Sequence, residues 1–521
     1  MNISFKFAQK KLLRGHNPSP IGAVVALSAS EGAFGSWWSA KHRSLCHIIT
    51  LSTTSPFVLK IFIGFFVSIP TQLPTSCVFY MSANIPASIP YLDITYKYCD
   101  FYAKFLHLNL PCLFTESHTC TWPARLNWSE NGSISIDRVL KPFSGSELCV
   151  ANCRDIEFGA HPTLTMTSEE YLAYWKTAGC DGTEQLLYLK DWHYFKGKDF
   201  RNYYSQPVYF SSDWLNEFYE FRTDCDDDFR FVYIGPGGTW TPLHTDVYCS
   251  YSWSANIVGR KRWWVFPPGE ENKLIVSHGG QLPSDISQCD FADPETQDSD
   301  LPRCYVFDQQ PGEMFFVPSG WYHQVLNLTD CISINNNWLN ACNVTLVWRH
   351  LQAQLREVKK SCSDVESTPG WDDACQECLK AWEGWNYREF FVLLKYILIS
   401  RWLRLTVQEV RQRLPTVAGI PGGGKVPLHV LDEQVESLLS DIASSEPLLV
   451  KWLTGDTLDS RLQNFVDVET TTSVSSIWQH DLVEATRTIR SMVVNEDLKR
   501  LRLHSRGPAA WLWKVVLGGQ V

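Results

Sequence analysis

The sequence lacks the features that mark a membrane-spanning or nucleic-acid-binding protein. The apolar patch at residues 57–69 is interrupted by Lys60, and it is shorter than the ~20 residues that a membrane-spanning helix needs. The 46 Lys and Arg are outnumbered by 56 Asp and Glu, and the net charge of -10 argues against a surface built to bind phosphates. We therefore expect no direct nucleic-acid partner and no membrane partner.

A disulfide framework is also missing. The 17 cysteines are odd in number and irregularly spaced in a long chain, whereas disulfide scaffolds are short and cysteine-dense. Cys375 and Cys378 have the spacing of a zinc knuckle or redox pair, but no second Cys or His pair stands at zinc-finger distance. Mostly reduced, buried thiols predict a cytoplasmic protein, with the nucleus as a second compartment.

The composition is that of a globular protein, with 45% hydrophobic and 20% charged residues, and its 521 residues permit two to four domains. Residues 1–80 differ, because they are rich in Ser, Thr and Pro and poor in acidic residues. They are open to three interpretations: a weak membrane anchor, a targeting extension, or a translated leader upstream of a true start at Met81. The third is favoured, because a stretch typical of a domain follows Met81.

Period and turn signals divide the remainder into three segments. Residues 229–340 show short strands separated by Gly and Pro turns, which predicts a jelly-roll core or a sandwich. Residues 81–228 are predicted to support that core, and residues 341–521 to form a helical region. Helical spacing predicts helices at 96–106, 164–176, 212–218, 344–358, 389–405 and 428–442. The polar stretch 277–303 is predicted to be an insertion loop.

A candidate metal site lies in the strand segment. His244 and Asp246 point to the same side of an extended chain, because side chains alternate along a strand. With His323 as a third ligand, two histidines and one carboxylate would form the facial triad of non-heme Fe(II) oxygenases. The His-x-Asp pair is weak by itself. The alternative for His323 is a buried histidine satisfied by the backbone.

Two further patterns point to a bound anion. The basic run at residues 259–262 precedes an apolar strand, where a basic side chain can bind the far carboxylate of a dicarboxylic cosubstrate such as 2-oxoglutarate. A solvated basic turn is the alternative. Ser333, Asn335 and Asn337 share one face of the last strand, which indicates a wet or liganded interior, and Thr241 offers a hydroxyl near His244.

Five motifs together resemble the JmjC family of Fe(II)/2-oxoglutarate oxygenases. They are Phe-Val-Tyr-Ile-Gly-Pro at 231–236, Thr-Pro-Leu-His-Thr-Asp at 241–246, Gly-Arg-Lys-Arg-Trp at 259–263, the run at 312–325 and Ile-Asn-Asn-Asn-Trp at 334–338. Upstream stretches at 187–193 and 207–218 resemble a lysyl-hydroxylase branch of that family. The resemblance runs from about residue 92 to about residue 400.

The resemblance implies an α+β protein with a double-stranded β-helix (jelly-roll, cupin-like) barrel flanked by N- and C-terminal helices. It implies iron ligands His244, Asp246 and His323, with Lys261 on the distal carboxylate of 2-oxoglutarate. It further implies that Thr241, Asn335 and Asn337 line the cosubstrate pocket. Ser254 departs from a relative that has Asn at that place, so this contact is not carried over.

Fe(II), 2-oxoglutarate and O2 are the cofactor and cosubstrates that the resemblance implies. The implied reaction is hydroxylation of a protein lysine, with the translation-termination release factor as the suspected substrate. Two other functions stay open at this point: a histone or protein lysine demethylase of the JmjC type, and a catalytically silent cupin-like binding module. The sequence does not indicate an oligomeric state.

Overall fold

The computed structural model describes residues 86–157, 159–177, 185–222, 227–294, 300–413 and 472–500. Residues 1–80 and the predicted helix at 428–442 lie outside them. The chain divides into two compact units, and within the described residues the first extends to Ile397 and the second begins at Leu398. None of the helices in the described ranges is long and apolar enough to span a membrane.

Fifteen strands form three sheets in the described residues. The strands are β1 Tyr91–Leu92, β2 Cys112–Phe114, β3 Ser129–Glu130, β4 Ser133–Ile134, β5 Glu147–Asn152, β6 Thr163–Thr167, β7 Leu187–Trp192, β8 Arg230–Gly235, β9 Trp240–His244, β10 Tyr251–Val258, β11 Lys261–Phe266, β12 Tyr305–Gln309, β13 Met314–Val317, β14 Tyr322–Asn327 and β15 Cys331–Trp338. The large sheet has the order β1-β2-β13-β10-β15-β8-β7-β5-β6, the small sheet has the order β12-β11-β14-β9, and β3 pairs with β4.

Eleven α-helices lie in the described residues. They are α1 Tyr98–Phe101, α2 Pro123–Asn127, α3 Ile136–Leu140, α4 Ser168–Thr177, α5 Trp214–Phe221, α6 Glu271–Ser277, α7 Val344–Ser361, α8 Trp371–Glu383, α9 Tyr387–Arg413, α10 Thr472–Val493 and α11 Glu496–Arg500. A π-helical turn at Tyr102–Leu106 continues α1. The predicted antiparallel sheets and flanking helices are therefore present. The predicted jelly-roll barrel is not closed, because within the described residues the large and small sheets are separate in their hydrogen bonding.

The large and small sheets pack face to face through an apolar cluster. Trp263 and Val325 of the small sheet contact Phe315 and Val317 of the large sheet, and these contacts define the inner face of each sheet. Residues paired directly across antiparallel strands share a face. Apolar and polar residues alternate along β10 and β15. The mostly polar set of side chains therefore points inward, and the mostly apolar set points toward the N-terminal helices.

The outer face of the small sheet is covered by the predicted insertion. Leu274 of α6 and Ile286 pack on Leu243, Trp264 and Phe266 in one cluster. The side chain of Gln324 accepts a hydrogen bond from the Ile286 amide at 2.9 Å. The described part of the 277–303 stretch is thus a folded cover on the face that is turned away from the interior.

The N-terminal segment corrects one predicted helix. Residues 164–167 of the predicted 164–176 helix belong to β6, which pairs with β5. The helix α4 begins only at Ser168. Thr167 and Glu170 form a reciprocal capping box, in which the Thr167 amide donates to Glu170 at 2.7 Å and the Glu170 amide donates to the Thr167 hydroxyl at 3.2 Å. Pairing with a distant strand has overridden the local helical spacing.

The C-terminal helices begin directly after β15. Buried apolar residues recur along α7 at helical spacing, and the helix packs on α8. The structure extends the predicted helices at 344–358 and 389–405 to Val344–Ser361 and Tyr387–Arg413. In the second unit, Arg401 forms an ion pair with Asp481 at 2.8 Å, and both side chains are only 2% exposed.

Candidate metal and cosubstrate site

Strand register brings two of the predicted residues to one face. His244 of β9 pairs with His323 of β14, and Thr241 pairs with Val325, with a shift in register between the two pairs. Two residues of β9 therefore oppose one residue of β14, which is a β-bulge. Because of this bulge, Thr241 and His244 both point to the inner face, although an odd spacing of three would normally place them on opposite faces.

His244, Asp246 and His323 converge on one point. One ligand atom from each side chain lies within 4.8 Å of the other two. The Nδ1 atom of His244 donates to the Pro242 carbonyl at 2.7 Å, and the Nδ1 atom of His323 donates to the Trp321 carbonyl at 3.1 Å. Nε2 is thus the ring nitrogen that each imidazole leaves for a ligand, as metal-binding histidines commonly do.

Burial also keeps one imidazole of this group neutral. Desolvation, followed by the neighbouring His323, lowers the pKa of His244 well below its usual value. A neutral imidazole is the form that binds a metal. Ser252, which follows Asp246 by six residues, orients the Asp246 carboxylate, because its hydroxyl donates to Asp246 Oδ2 at 2.7 Å.

Lys261 is a buried cation with neutral partners. Its side chain is 2% exposed, and Nζ donates to Asn327 Oδ1 at 2.9 Å and to the Tyr188 hydroxyl at 3.4 Å. No carboxylate in the described ranges forms an ion pair with it. Burial lowers the pKa of Lys261, because desolvation disfavours the charged form. A bound carboxylate would supply the counter-charge that this site lacks.

The remaining predicted residues lie on the inner face of the large sheet. Asn335 pairs across the strands with Ser254, and Ser254 donates to Asn335 Oδ1 at 3.1 Å. Ser254 also pairs with Phe315, a member of the apolar cluster between the sheets, so both polar side chains face the interior. Asn337 points the same way, but its side-chain amide donates to the Ser250 hydroxyl at 3.1 Å.

Comparison with known proteins identifies the family of this chain. The family model described as "JmjC domain, hydroxylase" matches residues 231–338. The chain is 40% identical over 334 residues to mouse "2-oxoglutarate and iron-dependent oxygenase JMJD4", covering 61% of this chain and 77% of that protein. The chain belongs to the JmjC family of 2-oxoglutarate and iron-dependent oxygenases.

Two other JmjC relatives bear on the reaction. The human protein of the JMJD4 name is 42% identical over 319 residues, which is 60% of this chain and 75% of that protein. The Arabidopsis thaliana protein named "Arginine-specific demethylase JMJ20" is 37% identical over 321 residues, which is 57% of this chain and 67% of that protein. The first of these names states an oxygenase without a specific reaction, and the second states a demethylase.

The residues present suit the cofactor and cosubstrate of the JmjC family. Two imidazole nitrogens and one carboxylate oxygen form the donor set that leaves positions open on non-heme Fe(II). The buried Lys261, with only neutral partners, suits one end of a dicarboxylate. The donor chemistry of the triad therefore suits Fe(II), and that of Lys261 suits 2-oxoglutarate.

Three residues that support Lys261 were not predicted from the sequence. Asn327 accepts from Lys261 and donates its amide to the Thr239 hydroxyl at 2.8 Å, while Tyr188 approaches from β7. Asn327 has a sequence signal, because it lies two strand positions after Val325 and four after His323 on the same face. Tyr188 has none, because its neighbour in space is 73 residues away.

A second group of metal-ligand types lies at the start of β8. His193, Asp227 and Asp228 bring their ligand atoms within 4.8 Å of one another. The Nδ1 atom of His193 already lies 2.6 Å from Asp228, as in an ion pair. This nitrogen is therefore engaged by a carboxylate, unlike the Nε2 atoms of the triad.

Proposed function

We propose that this chain is an Fe(II)- and 2-oxoglutarate-dependent hydroxylase of a lysine in a protein substrate. His244, Asp246 and His323 would hold the iron, and Lys261 would bind the distal carboxylate of 2-oxoglutarate. The observation that carries the proposal is the convergent triad beside a buried lysine that has only neutral partners. Residues 229–340 would be the catalytic core, with 81–228 as its support.

The chain's own residues bind and orient, while the chemistry comes from the cofactor. Iron with bound 2-oxoglutarate supplies the oxidising power for inserting one oxygen atom of O2 into a C–H bond, with succinate and CO2 as coproducts. Ser252 fixes the Asp246 carboxylate, and the backbone carbonyls of Pro242 and Trp321 fix the two imidazoles. Thr241, Asn335 and Asn337 would line the cosubstrate pocket with neutral polar atoms.

A carboxylate whose charge acts on His244 supports a cationic target side chain. Asp191 has φ of 54°, at the point where the pairing of β7 with β8 slips between Leu189 and Trp192. Bulges of this kind occur next to active sites and re-aim a side chain. The Tyr233 hydroxyl donates to Asp191 Oδ1 at 2.5 Å, and the Asp191 side chain is 43% exposed.

The neighbours of Asp191 connect it to the interior. Tyr233 pairs with Ser333, which shares the inner face of β15 with Asn335. Burial, followed by the charge of Asp191, raises the pKa of Tyr233, so the hydroxyl keeps its proton and donates. Lys190 Nζ lies 3.6 Å from Asp191 Oδ2. The Asp191 carboxylate is 43% exposed, so a target ammonium could contact it from the solvent side.

The release factor of translation termination is the proposed protein substrate, in the cytoplasm and also in the nucleus. This choice rests on the resemblance of residues 187–193 and 207–218 to a lysyl-hydroxylase branch of the family. Demethylation is the second candidate, because the relative JMJ20 is named as an arginine-specific demethylase. Both reactions need a cationic target side chain, so Asp191 serves either.

The test combines turnover with mass spectrometry. The full chain is incubated with Fe(II), 2-oxoglutarate and overlapping release-factor peptides, in parallel with methyl-lysine and methyl-arginine peptides. We expect succinate, together with the gain of one oxygen atom on an unmethylated lysine. Loss of a methyl group without a retained oxygen would replace hydroxylation by demethylation as the function.

Matched variants assign the roles. His244→Ala should reduce succinate to background, whereas His278→Ala, an exposed histidine just after α6, should keep full turnover. Asp191→Asn should raise the KM for peptide and leave slow, peptide-independent conversion of 2-oxoglutarate unchanged. Full turnover by His244→Ala would contradict the iron ligands, and an unchanged peptide KM in Asp191→Asn would contradict the cation contact.

A further inference from the structure

The turn that follows the metal-ligand pair has an unusual backbone. Tyr248 and Cys249 both have positive φ, 59° and 54°. Non-glycine residues seldom adopt this left-handed region, and they keep it only where the surroundings impose it. The turn begins two residues after Asp246 and ends just before Ser252, which donates to the Asp246 carboxylate at 2.7 Å. The geometry of the turn therefore sets the distance between Asp246 and its donor.

The C-terminal region contacts this turn in two ways: α7 packs on it, and Trp385 stacks on Tyr248. The ring of Tyr248 lies on the ring of Trp385, with centroids 3.9 Å apart and planes at 12°. Tyr248 is 7% exposed and Trp385 is 1% exposed. The indole has a further contact, because its Nε1 donates to the Tyr219 hydroxyl of α5 at 2.9 Å. The ring of Tyr248 thus rests on a partner that has its own anchor.

The backbone beside Trp385 is shaped to the same ring. Gly384 has φ of 83°, and a Cβ added to it would lie 2.8 Å from the Tyr248 hydroxyl oxygen. Both the conformation and the space therefore require glycine at this position. The junction between α8 and α9 lies directly against the edge of the Tyr248 ring.

We propose that Trp385 and Gly384 are positioning residues for the metal ligand Asp246. The inference rests on the proposed function, because it assigns Asp246 to iron. The stack imposes the left-handed turn, and the turn aims the Asp246 carboxylate at His244 and His323. A segment outside the span matched by the JmjC family model, residues 231–338, would then complete the metal site.

Ordinary core packing is the competing explanation, and metal binding separates the two. A residue that only stabilises the fold changes the melting temperature but not the affinity of the folded protein for a metal. A positioning residue changes that affinity and the ligand field. Trp348 of α7 provides a matched control, because it is 2% exposed and its ring contacts are to Tyr387 and Phe390.

The experiment measures Co(II) binding to the full chain by calorimetry and by visible absorption, without 2-oxoglutarate, alongside thermal unfolding without metal. We expect Trp385→Phe and Gly384→Ala to weaken Co(II) binding by roughly tenfold, at the lower end of the effects of outer-sphere residues, and to alter the Co(II) spectrum. Trp348→Phe should lower the melting temperature and keep the wild-type affinity and spectrum.

A rescue variant covers the case of a poorly folded Gly384→Ala. Adding Tyr248→Phe removes the oxygen nearest to the new Cβ, so the double variant should recover part of the Co(II) affinity. Wild-type affinity and spectrum in folded Trp385→Phe would overturn the inference and leave the proposed function standing. Absence of Co(II) binding in the wild-type chain would instead overturn the proposed function.

Discussion

Replacement of Lys261 by methionine should affect cosubstrate binding and folding stability in different ways. The side chain is 2% exposed and its hydrogen bonds go to Asn327 and Tyr188, so the ligand-free protein holds a desolvated cation without an anionic partner. A bound carboxylate would complete a buried charge pair. Truncation of one member of such a pair costs about 3 kcal/mol, which is roughly a hundredfold in affinity.

The same change should cost the ligand-free protein little. Methionine fills a similar volume and removes the penalty for a buried charge, while Asn327 Oδ1 loses a donor at a cost of about 1 kcal/mol. We therefore expect Lys261→Met to raise the 2-oxoglutarate requirement for succinate production by roughly a hundredfold. The free energy of unfolding should stay within about 1 kcal/mol of wild type or increase.

The pH dependence of stability gives an independent measurement. Burial lowers the pKa of Lys261 in the folded state below 10.5, so the unfolded chain binds more protons between the two pKa values. The stability of the ligand-free protein therefore rises with pH through that window. Lys261→Met should lose this part of the rise, and Lys273→Met on α6 should keep it.

Three results would refute this reasoning. An unchanged 2-oxoglutarate requirement in Lys261→Met would show that the cation does not contact the cosubstrate. A large loss of stability without 2-oxoglutarate would show that the lysine is a structural residue. The same rise in requirement in Lys273→Met would show that the effect is not specific to the site.

Two further predictions concern the supports of the site. Ser252→Ala removes the 2.7 Å hydrogen bond to Asp246, and Co(II) affinity measured by calorimetry should fall by ~10–100-fold; an unchanged affinity would show that the carboxylate is oriented without it. Asp213 is the buried N-cap of α5, and its pKa is raised to about 6. The folded state therefore binds this proton more tightly than the unfolded chain does. As a result, folding stability falls as pH rises from about 4 to about 6. Chemical denaturation of Asp213→Ala across this range should lack that fall, and a slope equal to that of wild type would contradict the assignment.

The chemistry of the site was predictable, because it lies in short motifs. His244 and Asp246 are two positions apart on one segment, and His323 follows a Gly turn at the start of another strand. The inward orientation of Thr241, which the family resemblance implies, does not follow from strand spacing, because it depends on a bulge between β9 and β14. A spacing of three in a regular strand predicts the opposite face.

Contacts between distant segments account for the other differences. Tyr188 reaches Lys261 only through the pairing of β7 with β8, and no local pattern reveals that pairing. Residues 164–167 have the apolar spacing of a helix, but hydrogen bonds to β5 make them a strand. The left-handed turn at Tyr248 contains no Gly or Asn, so the sequence carries no signal for it. Local sequence thus predicts the secondary-structure elements and the candidate metal ligands better than the contacts between distant segments.

The contacts that complete the site also have a consequence for biosynthesis. Thr239 and Asn327, which together hold the surroundings of Lys261, are 88 residues apart, and Tyr219 and Trp385 are 166 residues apart. At ~5–20 residues per second, a ribosome needs about 8–33 seconds to make the longer interval. During that interval the nascent chain carries strands whose partners do not yet exist. On the proposed role of Trp385, the metal site would therefore reach its full affinity only after this residue has left the ribosome.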